Sequence, residues 1–206
     1  MGRATPAMGG DAPPQVLVLT DPRYADERVL EVVRAGAGEG RIGVVIRDAA
    51  GRRASFVEEC VQIAREGWVL VKRDAERARS AGARGVHLGS APWTADSGQR
   101  PADSWHVMIA LHHDVELPAA LARGATMALV SPIFDTPGTG PARGVGALAF
   151  ARAEAPGLLL YALGGVTAAN ARACVEAGAT GVAVIRSLLD ARSPADAWRA
   201  LFLAVV

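Results

Sequence analysis

The sequence predicts a single-domain (β/α)8 TIM barrel, and three observations carry that expectation. Short apolar runs alternate strictly with longer helical segments from Gln15 onward, eight such runs occur, and each is continuously apolar. Strand-helix alternation calls for a parallel sheet, and unbroken apolarity is what strands covered on both faces require. Eight units in about 190 residues fit a compact barrel, below the usual size of about 250. A doubly wound open sheet is the competing arrangement. The count of eight, and the lack of a GxGxxG opening the first helix, favour the barrel.

The strand candidates are VLVLT at 16–20, IGVVIR at 42–47, WVLVK at 68–72, GVHL at 85–88, HVMIAL at 106–111, MALVS at 127–131, LLLYAL at 158–163 and GVAVI at 181–185. Val, Ile and Leu dominate them, and stiff β-branched side chains suit a pleated, buried surface. Between them lie DERVLEVVRAG, SFVEECVQIAREG, DAERARSAG, ELPAALARG, TAANARACVEAG and SPADAWRALFLAVV. Apolar residues three and four apart give each of these one buried helical face, and a glycine closes most of them. The stretch 89–104, GSAPWTADSGQRPADS, has two prolines and little periodicity and reads as mostly loop. The first fourteen residues, MGRATPAMGGDAPP, lack periodicity and read as a flexible leader, which puts the barrel at 15–206.

Composition removes several functional classes. The chain has 206 residues, 50% hydrophobic and 21% charged, enough to bury a full core. Its 22 basic and 21 acidic residues leave a formal net charge of +1, with pI near 7.9. That balance carries no basic footprint for nucleic acid or an anionic membrane. No apolar run approaches the roughly 20 residues of a membrane span, and the N-terminus lacks a signal peptide's apolar core, so a cytoplasmic protein is expected. Cys60 and Cys174 sit in helical patterns without metal-ligand spacing and read as reduced packing residues.

In such a barrel, chemistry is built at the C-terminal ends of the strands, and phosphate is often held after strands seven and eight. Gly164 and Gly165 follow strand seven; Ile185 and Arg186 follow strand eight. Bare glycines let a phosphate approach backbone N–H groups, and the following helix starts add a favourable dipole. The plainer role for these glycines is a tight turn.

YALGGVTAANARACVEAGATGVAVIRSLL, with ARGVHLG at 83–89 and SPIFDT at 131–136, resembles the thiamine phosphate synthase and TenI family of barrels, and the similarity runs from Val16 to about Leu189. VLVLTD at 16–21 matches the family's opening strand. The resemblance implies that a hydroxymethylpyrimidine diphosphate ionises and a thiazole phosphate captures the carbocation. Pyrophosphate leaves, with Mg2+ assisting if the synthase activity is retained. Such chemistry needs cations around the leaving group rather than acid-base machinery. TenI-like tautomerases instead move a proton on a thiazole carboxylate phosphate, which needs a base and no metal.

Set against the family pattern, the thiazole phosphate half is kept and the diphosphate half is altered. Gly164, Gly165 and the last strand match, but Arg186 stands where the family places a small residue, and either adds a cation or fills the pocket. Arg47 matches a family arginine, whereas Val45 replaces a glutamine and Ala49 a lysine. After strand three, Lys72-Arg73-Asp74 stands for Asn-Asp-Arg, so an arginine occupies a metal-carboxylate position and Asp74 is the only metal candidate. After strand four, GSAP at 89–92 lacks the second metal carboxylate. Thr136 and Thr139 remain from a Thr-Lys region whose lysine is gone.

For proton transfer, His112 or His113, at the end of strand five, is the candidate base, although the serine expected before it is replaced. His87 matches the family's GVHLG and reads as either a substrate contact or a buried structural histidine. The tautomerases' own histidine aligns with Pro132. Asp48 and Asp135 fall on the rim, as substrate contacts or as helix caps. Three readings follow: a synthase using Arg47, Lys72 and Arg73; a tautomerase-like enzyme using His112 or His113; and a non-catalytic binder of thiazole phosphate or thiamine phosphate. The apolar last helix either covers the barrel bottom or meets a partner subunit in a homo-oligomer.

Overall fold

The computed structural model describes residues 12–89, 105–138 and 140–206. Eight parallel strands close in chain order into a barrel: β1 Val16–Leu19, β2 Ile42–Ile46, β3 Trp68–Lys72, β4 Gly85–His87, β5 His106–Leu111, β6 Met127–Val130, β7 Leu159–Ala162 and β8 Gly181–Val184. Each lies within its expected run, trimmed by no more than one residue at either end. The helices are α1 Asp26–Glu39, α2 Phe56–Ala64, α3 Ala75–Ser80, α4 Leu117–Ala122, α5 Gly146–Glu154, α6 Ala171–Glu176, α7 Arg186–Leu189 and α8 Pro194–Val205. Gly82, Gly124 and Gly178 end α3, α4 and α6 with positive φ of 75°, 75° and 100°, the left-handed closure that only glycine makes freely. Helix α5, capped at Val145 and ending at Ala155 without a closing glycine, was not among the expected helices. Most of the expected loop at 89–104 lies outside the described residues.

Strand alternation splits the core in two. Leu17, Leu19, Val45, Trp68, Leu70, Met108, Met127, Leu129, Tyr161 and Ala183 pack inside the barrel. Their neighbours, such as Val16, Val18, Val44 and Val182, face the helices. Small residues make room for large ones inside. Gly43 pairs with Trp68 in register and Gly181 with Tyr161. A Cβ on Gly43 would sit 2.0 Å from a Leu17 methyl, and one on Gly181 would sit 2.1 Å from the Gln15 carbonyl. The interior is therefore a packed plug, and no channel runs through it.

The fold begins earlier than expected. Pro14 is buried, its carbonyl accepts a 2.9 Å hydrogen bond from the Tyr161 hydroxyl, and Arg41 donates to the Ala12 carbonyl at 2.8 Å. Residues 12–14 thus belong to the barrel bottom rather than to the leader, because the Tyr161 hydroxyl, buried in an apolar barrel, needs an acceptor. Residues 1–11 of that expected leader lie outside the described residues.

Helix α8 does not cover the barrel bottom. It lies along α1, with Trp198 fully buried and donating its indole N–H to the Val32 carbonyl at 2.8 Å. Gly36 provides the clearance, since a Cβ there would come within 2.4 Å of the Trp198 ring. Leu203, on the same helix, is 70% exposed. Trp198→Ala is expected to cost about 3–5 kcal/mol, read as a lowered urea midpoint. Leu203→Ala is expected to stay within about 0.5 kcal/mol, and equal effects from the two would contradict this packing.

Candidate anion-binding mouth

One step beyond the apolar interior, the inward positions at the C-terminal ends of β1 to β6 become polar: Asp21, Arg47, Lys72, His87, His112 and Ser131. Period-two alternation dictates this, because the same strand face carries Leu19, Val45, Leu70 and Met108 one position deeper. Lys72 and His87 are register partners on adjacent strands. Gly89 follows at φ 71°, and a Cβ there would lie 3.5 Å from Arg73 Nη2 and 3.8 Å from Lys72 Cε. The two cations of β3 therefore converge over the end of β4. Arg73 reaches this place with a positive φ of 54°, a conformation uncommon for a non-glycine residue. Its backbone N–H donates to the His87 carbonyl at 3.0 Å and its Nε to the Leu88 carbonyl at 3.3 Å.

Positive charge dominates this wall. Burial, then Arg73 and Arg47, lowers the Lys72 pKa, and burial also lowers that of Arg47. His87 is 4% exposed. Burial, then Lys72, Arg47 and Arg73, pushes its pKa from 6.5 down to about 3, so the imidazole is neutral. Neither of its ring nitrogens has a hydrogen-bond partner among the described residues, which is uncommon for a buried polar group.

The carboxylates at the ends of β1, β2 and β3 are all engaged. Arg23 clamps Asp21 with bonds of 2.9 and 3.0 Å and holds its pKa near 2, and Arg47 approaches it at 3.5 Å. Asp48 takes the Thr20 hydroxyl and the Arg52 guanidinium, the latter at 2.6 Å. Asp74 accepts the Arg77 N–H at 2.9 Å and caps α3. Both oxygens of Asp48 are taken, by Thr20 and Arg52, whereas Asp74 gives one oxygen to the Arg77 N–H. Magnesium needs several oxygen ligands. No group of three or more His, Cys, Asp or Glu able to hold a metal occurs among the described residues. The described part of the mouth presents no preassembled magnesium site.

Across the mouth lies the glycine cup. Gly164 and Gly165 have φ of 96° and 64°, and added Cβ atoms would meet Pro132 at 2.8 Å and Phe134 at 2.7 Å. The pair is thus required by the loop after β6 packing directly onto it. Carbonyls are tied down here: Gly164 accepts from Phe134, Gly165 from Asn170 and Val166 from Ser187, at 3.0, 3.0 and 2.6 Å. The amides of Gly164 and Gly165 have no partner among the described residues. The expected helix-dipole contribution is small, since α7 has 4 residues and α6, of 6, starts only at Ala171. Ile185 is half-buried against the apolar interior, and Arg186 is exposed with no ion pair among the described residues. Arg186 therefore stands beside the cup rather than filling it.

The two histidines of β5 separate. His112 Nδ1 is 3.3 Å from the Ser131 hydroxyl, at the inner rim, whereas His113 joins Glu116 in a capping box on the turn at Asp114–Glu116. Thr136 is half-buried, with its hydroxyl 3.2 Å from the Phe134 carbonyl; Asp135 is exposed; Thr139 lies outside the described residues. Sequence reasoning missed Ser131 as the partner of His112, and Arg52, whose i,i+4 spacing from Asp48 was the available signal. Trp68 stacks on His106 at 4.0 Å on the barrel floor, far from this rim in register.

A closed parallel barrel with a cation-lined mouth and a glycine cup defines a (β/α)8 protein built to meet anionic small molecules. The family model described as thiamine monophosphate synthase matches residues 16–188. The chain belongs to the thiamine monophosphate synthase family. It is 35% identical to a thiamine-phosphate synthase of Chromobacterium violaceum, over 92% of this chain and 96% of the relative. It is also 35% identical to one from Roseiflexus castenholzii, over 90% and 86%. Among solved structures it resembles thiamine phosphate pyrophosphorylase from Pyrococcus furiosus, at TM-score 0.79 and 22% identity over 95% and 96% of the two chains. It also resembles 3-hexulose-6-phosphate synthase, at TM-score 0.71 and 18% identity over 93% and 100%. These last two likenesses carry the fold alone. No helix among the described residues is long and apolar enough to cross a membrane.

His87 gives a pH expectation. Its folded pKa of about 3 lies below its ordinary 6.5, so between these values the unfolded chain binds a proton that the folded one refuses. Stability should fall as pH drops from about 6.5 toward 3, by up to about 1.4 kcal/mol per pH unit for this one group. His87→Asn should flatten that slope in urea titrations, and an unchanged slope would show that His87 does not carry it.

Proposed function

We propose that this chain is a thiamine phosphate synthase, joining hydroxymethylpyrimidine diphosphate to a thiazole phosphate and releasing pyrophosphate. The observation that carries this reading is the opposition, across one mouth, of the cation wall Arg47, Lys72 and Arg73 and the unpaired amides of Gly164 and Gly165. Two anions of different size have a place each. The family match over residues 16–188 supports it.

The chemistry follows from that arrangement. The bond between the pyrimidine's methylene carbon and the diphosphate oxygen breaks, and the electron pair leaves with the diphosphate. Negative charge grows on that oxygen, where fixed cations stabilise it. The thiazole nitrogen then donates its lone pair to the carbocation, forming the C–N bond without a proton transfer. Leu19, Val45, Leu70 and Leu129 supply an apolar floor for flat rings, and the cup, with Arg186 at its edge, holds the thiazole's phosphate in line. Thr136 belongs to the loop packed on that cup. Asp21, clamped by Arg23, orients Arg47, whose Nε donates to the Thr20 carbonyl at 2.9 Å.

Purified protein given both substrates should form thiamine phosphate and pyrophosphate in equal amounts. Arg47→Ala should lower kcat/KM at least about 10-fold, the value of one charge-assisted hydrogen bond of about 1.4 kcal/mol. No product at any magnesium concentration would overturn the reading.

A second reading rests on His112 and Ser131, whose 3.3 Å contact at the inner rim is the described geometry suited to proton transfer. It makes the chain a tautomerase-like enzyme acting on the same thiazole phosphate. His112→Ala should then abolish thiazole isomerisation while His113→Ala leaves it intact. Under the synthase reading, both variants retain condensation within a few-fold.

A further inference from the structure

We propose that Lys72 and Arg73, with Arg47, bind the diphosphate directly and take the place of a divalent metal. The proposal rests on the reading that this mouth receives a diphosphate. Lys72 and Arg73 are assembled without an ion pair among the described residues, while Arg47 meets Asp21 at 3.5 Å; Lys72 has no hydrogen bond there either, and its strongest charged neighbours are Arg73 and Arg47. The two side chains converge over Gly89, with Arg73 Nη2 3.5 Å and Lys72 Cε 3.8 Å from its Cβ position, where an anion is to be held.

The carboxylates that would otherwise neutralise them are drawn off into separate pairs. Asp21 goes to Arg23 and, at 3.5 Å, to Arg47, Asp48 to Arg52, and Asp74 to the start of α3. What remains open on this wall is positive. Where the family resemblance expects Asn-Asp, this chain presents Lys72-Arg73, two positive charges in place of one negative. A metal ion beside that pair would be repelled, whereas a diphosphate oxygen would be attracted.

His87 is an independent observation of the same site. It faces inward beside Lys72, is 4% exposed, and has both ring nitrogens without a partner among the described residues. A neutral imidazole keeps one N–H donor. Buried polar groups are ordinarily paired, and a phosphate oxygen held by Lys72 would complete this one. Arg73 adds a planar fork suited to two oxygens of one phosphate, and its left-handed backbone, φ 54°, sets that fork over the strand end.

Calorimetric titration of inorganic pyrophosphate into the full chain, with EDTA and again with millimolar Mg2+, tests this. Saturable binding in EDTA is expected, with no tightening by Mg2+. Lys72→Ala and Arg73→Ala should each weaken it about 10-fold or more, while Arg34→Ala, on the exposed face of α1, leaves it unchanged. Lys72→Gln and Arg73→Gln serve if an alanine variant melts early. Binding only in the presence of Mg2+, or binding in EDTA indifferent to both substitutions, would overturn the proposal. The synthase reading fails separately: metal-independent pyrophosphate binding without any thiamine phosphate formation sinks that reading and leaves the cation site standing.

Discussion

Close packing inside a small barrel is the constraint on which the rest of this molecule depends. Eight strands enclose just enough space for side chains, and Gly43 and Gly181, the register partners of Trp68 and Tyr161, are bare because a Cβ would strike Leu17 and the Gln15 carbonyl. With the interior full of apolar side chains, no polar group can be used below the level of Leu19, Val45 and Leu70. Every inward-facing charge is forced into one layer at the C-terminal mouth. The functional residues are neighbours because the plug beneath leaves them nowhere else to be.

Within that layer, pairing decides what is available to a ligand. Arg23 and Arg52 are committed to Asp21 and Asp48, and these pairs brace the loops after β1 and β2. Lys72, Arg73 and Arg186 are left over, on opposite sides of the mouth. Burial and three nearby cations keep His87 neutral, so it can lie under them without adding to their repulsion. The cup follows a different rule: Gly164 and Gly165 are glycines because the loop after β6 leaves no room for a Cβ, and their carbonyls accept from the Phe134 N–H and the Asn170 side chain.

The architecture was legible because continuous apolar runs and glycine-closed helices are local signals. The strand ends came out within one residue. Helix α5 did not announce itself, since GALAFARAE ends at Ala155 without a closing glycine. The bottom of the barrel was misread at Pro14, whose burial depends on the distant Tyr161 hydroxyl. The site was half legible. Its residues could be placed at strand ends by counting, but which carboxylate an arginine takes is a matter of three-dimensional reach. Thus Asp48 looked like a ligand contact until Arg52 reached it, and His112 could be told from His113 only by seeing which one meets Ser131 and which one caps a turn.

The central claim is that a layer of unneutralised cations receives the diphosphate without a metal. A crystal structure of the protein with pyrophosphate, grown in the presence of Mg2+, tests it most directly. The account predicts phosphate oxygens about 3 Å from Lys72 Nζ, the Arg73 guanidinium and a ring nitrogen of His87, with protein cations and no metal on them. A magnesium ion bridging pyrophosphate to protein carboxylates, or pyrophosphate seated away from β3 and β4, would contradict it.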